Sequence, residues 1–579
     1  MRYQRVLNGF AAGLALLTLS LGAQAQQSTA PDAPEIPVGA TSTADHSKFA
    51  ILQRDFTSGP EVTSACLTCH TEADDQMMHS IHFTWEFENP KTGQLLGKRH
   101  VINSFCGNVA GNEPRCTSCH AGYGWDDMSN PPPRQSTVGT GWDTTLPRPT
   151  PANGQNNAVD CLACHDRSGQ YTKAATLAGH PPLNPMPDGL KTITGAKAWV
   201  VDLKRAAQSV GPTGRDNCGN CHFYGGGGDN VKHGDLSSVL YKPTKEVDVH
   251  MAADGLNFTC STCHVADQHQ IAGSRYDAMA TDPHGTGKPG AARTTATCES
   301  CHSDRPHPIA ASNPLEVLRG VKLNDHTNRV ACQTCHIPEF ARGGVATKTL
   351  WDWSTAGQLD NGKIIKREEY TQSDGKELHT YLSTKGDFEW GEDVVPYYSW
   401  FNGKVEYTMP ETIIDPSKPV EINHIFGSAD DPDSRIWPFK RMIGRQAYDA
   451  GFNKLAYSHV WGPETDTAFW TNFDWAKAIK AGMKAAGSDY SGEYGFVDTR
   501  MYWPIAHMVA PAEKALECKD CHAEDGRLEG LDGFYMPGRN PVSTAGIFGI
   551  LMVLAALLGV LGHGLLRLVS NKKQGKNHE

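Results

Sequence analysis

Residues 160–173 read DCLACHDRSGQYTK. The run holds Cys161, Cys164 and His165, two thiols three positions apart followed at once by an imidazole. Cys-x-x-Cys-His is the attachment pattern of a c-type haem. Its spacing lets two thiols reach two vinyl groups on one edge of a porphyrin, while the adjacent histidine turns under the ring to bind iron. The pattern occurs eight times. The other copies are Cys66, Cys69, His70; Cys116, Cys119, His120; Cys218, Cys221, His222; and Cys260, Cys263, His264. Three more follow: Cys298, Cys301, His302; Cys332, Cys335, His336; and Cys518, Cys521, His522. Together they take all but one of the 17 cysteines and leave Cys106 over. A single copy could be a zinc knuckle or a disulfide pair. Eight copies point to eight covalently bound haems.

Composition sets the expected fold. Hydrophobic residues make up 39% of the chain and aromatic residues 8%, while Gly 58 and Pro 35 are plentiful. Porphyrins can supply the buried apolar surface that the side chains do not. The chain is therefore expected to be mainly α with extensive loops, wrapped around its haems, with almost no sheet. Seven motifs crowd into a haem-dense region, 46–345. An aromatic-rich, haem-free region, 346–500, is expected to wall off a pocket. A helix is expected from about Asp466, with Trp470, Phe473, Trp475, Ile479 and Met483 on related faces. A helical region, 501–538, should carry the eighth motif.

The two ends address the chain to a membrane. Residues 1–25 read as a signal peptide, with Arg2 and Arg5 before an apolar run and Ala23-Gln24-Ala25 at the cleavage site. Residues 26–45 read as a flexible lead-in. Ala545 to Leu566 is an apolar run of 22 residues, about 33 Å as a helix, enough to cross the hydrocarbon core. A transmembrane helix is expected over 545–567 and a cytoplasmic tail over 568–579. Arg567, Lys572, Lys573 and Lys576 should keep that tail inside, with the haem domain on the periplasmic side. His563, near the inner end of the helix, is read either as a haem or quinone contact shared with a partner or as a residue resting at the interface.

Iron in an electron-transfer haem needs a second axial ligand. Of 25 histidines, ten outside the motifs sit in settings that would fix a ring: His79, His82, His100, His233, His250, His269, His284, His307, His326 and His507. His46, His379 and His578 read as ordinary exposed residues. An enzyme also needs one iron with an exchangeable site. Lys173 follows His165 by eight residues. A lysine amine whose pKa is lowered by burial can bind ferric iron and leave the opposite face to substrate; the alternative is a solvated lysine.

The stretches CHDRSGQYTK, NCHFYGGGGDNVKHGDL and ACQTCHIPEFARGG, with the eight motifs, resemble the octahaem tetrathionate reductase family. Those multihaem cytochromes are related to hydroxylamine oxidoreductase and cytochrome c nitrite reductase. The resemblance covers roughly residues 60 to 535. It implies a lysine axial ligand at the active-site haem, with Lys173 at the matching position, expected to serve the haem of Cys161 and Cys164. It also implies an asparagine and a free cysteine in the pocket, and Asn103 and Cys106 stand at that spacing. The implied reaction is reductive cleavage of tetrathionate to two thiosulfates. The rivals are a nitrite- or hydroxylamine-converting enzyme and a pure electron conduit. The expected partners are a small oxyanion, the membrane, and an electron-transfer protein such as a cytochrome b or a quinol-oxidising subunit, with no nucleic acid. At a net charge of −11, local cations must draw the anion in.

Overall fold

The computed structural model describes residues 44–124, 157–186, 189–278, 296–309, 313–462 and 466–574. The signal peptide, residues 26–43 of the lead-in, His284, His578 and the last residues of the tail lie outside them.

From Asp45 to His336 the described chain is loops, 3-10 turns and short helices, with strands only two residues long. Each of its seven motifs sits on one or two helical turns, such as Gly59–Cys66, Leu162–His165 and Arg215–His222. One turn is what the motif needs, because residues three apart then share a face. The longest helix of this part is α1, Pro314–His326. Asn313 caps it by accepting from the Leu315 amide at 2.9 Å, and Pro314 sits where no amide partner is needed.

Residues 347–504 overturn the expectation of a mainly α chain with almost no sheet. They hold nine strands of one sheet: β1 Thr347–Asp352, β2 Lys366–Arg367, β3 Tyr381–Leu382, β4 Gly386–Gly391 and β5 Tyr397–Phe401, then β6 Val420–Glu421, β7 Arg435–Asp449, β8 Lys454–Leu455 and β9 Tyr494–Pro504. Their order is β6-β9-β7-β1-β4-β3-β2, with β5 and β8 also paired to β7. The pair β7–β9 is antiparallel with Met442 opposite Met501, and β7–β1 is parallel with Gly444 opposite Trp351. The cause is visible along β9. Val497, Thr499, Met501 and Trp503 are buried, while Asp498 and Arg500 alternate with them and are not. That period of two, in β-branched and aromatic residues, is a half-buried strand.

The helix expected from Asp466 is interrupted. Phe473 adopts a left-handed conformation (φ 57°), and α2 runs from Trp475 to Ala485. Asp474 caps it at 3.1 Å from the Lys477 amide. Trp475, Ala478, Ile479, Gly482 and Met483 form its buried face. Residues 501–538, expected to be helical, hold a single turn at the eighth motif, Cys518–Cys521, and one 3-10 turn, Ala512–Lys514. Helix α3, Thr544–Gln574, contains an 18-residue window of mean hydropathy 2.5, none of it buried. By length and composition it can cross a membrane.

Lys440 on β7 ties the sheet to the haem-dense region. Its side chain is fully buried and donates to the Val231 carbonyl at 2.8 Å, the Lys232 carbonyl at 3.2 Å and Thr347 Oγ1 at 2.7 Å. Burial lowers its pKa to about 7. The folded chain then binds fewer protons than the unfolded chain from about pH 7 up to the ordinary lysine range near 10, so stability rises with pH across that window. Lys440→Met removes this dependence. Thermal melts of both proteins at several pH values should show the wild type gaining on the variant as pH rises. A constant difference would mean that Lys440 stays charged in the fold.

Candidate active site

Seven motif histidines face a second histidine. The ring centres are 6.5 Å apart for His70 and His46, 6.4 Å for His165 and His269, 6.1 Å for His222 and His82, and 6.2 Å for His264 and His507. They are 6.0 Å apart for His302 and His250, 6.4 Å for His336 and His307, and 6.0 Å for His522 and His326. A metal ion bonded to one nitrogen of each ring at about 2 Å leaves the centres roughly 6 Å apart. Several of the Nδ1 atoms are otherwise engaged. His165 Nδ1 lies 3.0 Å from the Gly211 carbonyl, His264 Nδ1 2.9 Å from Ala272, and His522 Nδ1 3.0 Å from Pro537. On the facing side, His269 meets Gln76 at 2.9 Å, His326 the Lys322 carbonyl at 2.6 Å and His507 Asp235 at 3.0 Å. Each of these bonds fixes a ring and leaves Nε2 for a metal. One cavity of about 4680 Å³ touches all eight motifs, far more than one small ligand fills. These residues fit c-type haem.

Six of the ten expected distal histidines face a motif histidine. His79, His100 and His233 do not. His79 Nδ1 bonds the Asp75 carbonyl at 2.7 Å on an exposed helix end, and His100 bonds Glu86 at 2.8 Å. His233 is packed among Lys232 and Arg275. His284 lies outside the described residues. His46, read from the sequence as exposed, is a correction, because it faces His70. Its signal was weak: it stands 20 residues before its motif, at the end of the lead-in.

Motif cysteines show which motifs are neighbours. Cys66 lies beside Cys161, Cys119 beside Cys221, Cys218 beside Cys260, and Cys298 beside Cys332. Cys164 lies near Cys218 and Cys221, Cys263 near Cys301, and Cys335 near Cys518 and Cys521. The motifs therefore follow one another as first, third, fourth, fifth, sixth, seventh and eighth. The second stands beside the fourth as a branch.

The second motif differs from the rest. His120 is fully buried. Its Nε2 lies 2.6 Å from the Phe83 carbonyl, and Phe83 and Trp85 pack on it with ring centres 5.2 Å away. Burial keeps it neutral, pushing its pKa down to about 3. Backbone has thus taken up the ring that other motifs turn toward iron.

Lys173 comes to this motif, not to the third, where the sequence put it. The third motif's His165 already faces His269. Asp166 explains the path: it accepts from the Ser168 amide at 3.0 Å and the Tyr171 amide at 3.2 Å, turning the chain back on itself. Lys173 is 4% exposed, with Nζ 2.6 Å from the His120 carbonyl and 2.5 Å from Asp160 Oδ2. Asp160 also accepts from Tyr123 and Tyr171, each at 2.8 Å. Burial raises both phenols well above their ordinary range, so they stay donors. An amine that gives two N–H bonds to these acceptors has one position left on nitrogen.

Cys106 reaches the same motif from the other side of the sequence. Residues 103–107 form a tight turn, with the Asn103 amide 2.6 Å from the Gly107 carbonyl. Asn103 Oδ1 accepts from the Phe105 amide at 3.1 Å and the Cys106 amide at 2.8 Å. The sheet holds the turn: Gln446 Nε2 donates to the Asn103 carbonyl at 2.7 Å, and Phe105 packs on Trp503. The Cys106 sulfur faces the glycine-rich loop, 4.0 Å from the Gly226 carbonyl. A Cβ on Gly227 (φ +88°) would stand 3.8 Å from that sulfur.

Cations surround this corner. Lys98 interacts with Cys106, Cys116 and Cys119, and with Lys232, which adjoins Arg275. Lys348 and Lys385 interact with Cys106 from the sheet side. Arg115 lies 5.2 Å and Lys385 4.9 Å from the centre of the Trp470 ring. Burial, with Arg115 nearby, lowers the Lys385 pKa to about 8. Among the described residues none of these six cations has a carboxylate within salt-bridge distance. The sequence reading named none of them, because they are scattered from Lys98 to Lys385 with no local pattern.

The Asn103 cap is testable. Asn103→Asp keeps the accepting oxygen and should keep the turn. Asn103→Ala removes two hydrogen bonds and should cost about 1–3 kcal/mol of stability. It should also speed alkylation of Cys106, read by mass spectrometry on the intact holoprotein. Equal alkylation rates in all three proteins would show that the cap does not hold the thiol.

Comparison with known proteins agrees with this geometry. The family described as bacterial cytochrome c matches residues 348–525. The crystal structure of octaheme cytochrome c from Shewanella oneidensis is 39% identical, with a TM-score of 0.68, over 86% of this chain and 98% of that one. An uncharacterized protein of Archaeoglobus fulgidus is 25% identical over 269 residues, 42% of this chain and 84% of its own length. The chain carries c-type haem and belongs to the octahaem cytochrome c family.

Proposed function

We propose that the chain is a membrane-anchored, periplasmic reductase with eight c-type haems, acting on tetrathionate or a related sulfur or nitrogen oxyanion at its second motif. What supports this reading above all is Lys173: it stands, buried, with Nζ 2.6 Å from the carbonyl of the second motif's His120 and 2.5 Å from Asp160. Haem iron there, when bound, supplies single electrons and a coordination position.

The chain's own residues then have separable tasks. Lys173 would hold the haem iron, its amine aimed by Asp160 and the His120 carbonyl. Lys98, Arg115, Arg275 and Lys385 attract the dianion that the chain's net charge would repel at long range. In a site of low dielectric their field is strong. Cys106, as a thiolate, attacks a central sulfur of tetrathionate, forming a Cys–S–SO₃⁻ adduct and expelling one thiosulfate. Two electrons delivered to the site cleave the new S–S bond, release the second thiosulfate and restore the thiolate. The oxygen of Asn103 is spent on the turn, so only its NH₂ group is left to donate to the substrate. Helix α3, with Arg567, Lys572 and Lys573 in its last turns, holds the molecule in the membrane. The electron donor is a membrane or periplasmic redox protein.

Turnover of tetrathionate, nitrite and hydroxylamine with reduced methyl viologen tests the reading. Lys173→Ala should abolish the activity while the seven histidine-paired centres keep their low-spin spectra. Cys106→Ser should slow tetrathionate far more than nitrite. Full activity in Lys173→Ala would reject the site.

A further inference from the structure

The stretch joining the eighth motif to α3 is built as a rigid seat. It folds back over its own motif: His522 Nδ1 meets the Pro537 carbonyl at 3.0 Å. A Cβ on Gly538 (φ +91°) would stand 2.2 Å from the His522 carbonyl oxygen, so the backbones are in direct contact. Asn540 closes a turn, accepting from the Met536 amide at 2.7 Å and donating to the Met536 carbonyl at 2.9 Å. Arg539 donates to the Leu528 carbonyl at 2.8 Å and the Leu531 carbonyl at 2.5 Å. Leu528, Leu531 and Met536 are buried against Tyr398, Trp400 and Ile436 at the edge of the sheet.

Beyond Asn540 only Pro541, Val542 and Ser543 precede α3. Three residues span at most about 11 Å. Ser543 already belongs to the helix end, since its carbonyl accepts from Ile547 at 2.9 Å and its Oγ from Gly546 at 3.1 Å. Around this junction Tyr535 is 58% and Val542 49% exposed. An amphipathic ring and an apolar side chain suit the boundary of a bilayer. The motif itself is open: Cys518 and His326 are exposed, whereas His120 at the second motif is fully buried. The eighth motif is also an end of the line of motifs, with the seventh, sixth, fifth and fourth between it and the second.

We propose that the eighth motif, with His522 and His326, is the port through which electrons pass from the membrane, and that residues 523–543 hold it against the bilayer surface. This rests on the reading that α3 spans a membrane. The donor is a reduced one-electron carrier confined to the bilayer. It loses one electron, which the haem that Cys518, Cys521, His522 and His326 would hold would take up, and no bond is made or broken. Fixing the port to the plane where the donor moves raises its effective concentration there.

The full-length holoprotein in lipid nanodiscs tests this with two readouts. The first is cross-linking by a photoactivatable phosphatidylcholine, mapped by mass spectrometry. Labels are expected on 544–570 and on 535–543. The second is the rate of haem reduction by hexadecyl viologen radical held in the disc, against soluble methyl viologen. The variant inserts ten Gly/Ser residues between Ser543 and Thr544, adding about 17 Å of flexible reach. It should lose the labels on 535–543, keep those on 544–570, and slow reduction by the membrane-held viologen about tenfold, with the soluble rate unchanged. Labels on 544–570 but none on 535–543 in the wild type would overturn the proposal, as would a linker variant equal to wild type in both readouts. An unlabelled 544–570 would overturn the membrane reading and the proposal with it.

Discussion

Two imidazole rings facing each other across about 6 Å are the constraint around which the chain is arranged. The constraint repeats at seven motifs, and most pairs join distant stretches of sequence, as His264 does with His507. It explains why so much of the chain can be loop. A ring must be placed and its Nδ1 held, usually by a carbonyl or side-chain oxygen; long helices are not required for that. Helix α1 is the exception that carries a ligand at its last residue, His326. Where no motif falls, from residue 347 to 504, the chain builds an ordinary hydrophobic core under a sheet, because there side chains alone must exclude water.

The second motif departs from that constraint, and the candidate chemistry collects where it does. The Phe83 carbonyl occupies the His120 ring. Lys173 comes in from the loop after the third motif, Cys106 from a turn pinned by the sheet, and the cations from several separate segments. No element contributes more than a few of these groups. The sheet's contribution is positional: Gln446, Trp503 and Lys440 hold the Cys106 turn and the glycine-rich loop in place.

Much of this was legible in the sequence. Covalent motifs are local, so all eight could be read, as could Lys173 and the spacing of Asn103 and Cys106. Proximity across the fold is not local. That is why Lys173 was assigned to the motif nearest in sequence, although Asp166 reverses the chain and delivers it to the second. His46 looked like part of a polar lead-in, and His79 and His100 looked like ligands, because a histidine's neighbours in sequence do not reveal what its ring faces. The sheet was missed for another reason. Its Trp and Tyr residues were weighed as pocket lining, when the alternation of Val497, Thr499 and Met501 with Asp498 and Arg500 was the stronger signal.

The fourth motif touches three others: the third, the fifth and the second. On the reading proposed above it is a junction. Reducing a sulfur–sulfur bond takes two electrons, and a site reached through one contact receives them one at a time. The third and first motifs, lying on the far side of the junction from the membrane, can hold charge while the site waits. That arm works as a capacitor, uncoupling the rhythm of the donor from the two-electron demand of the substrate.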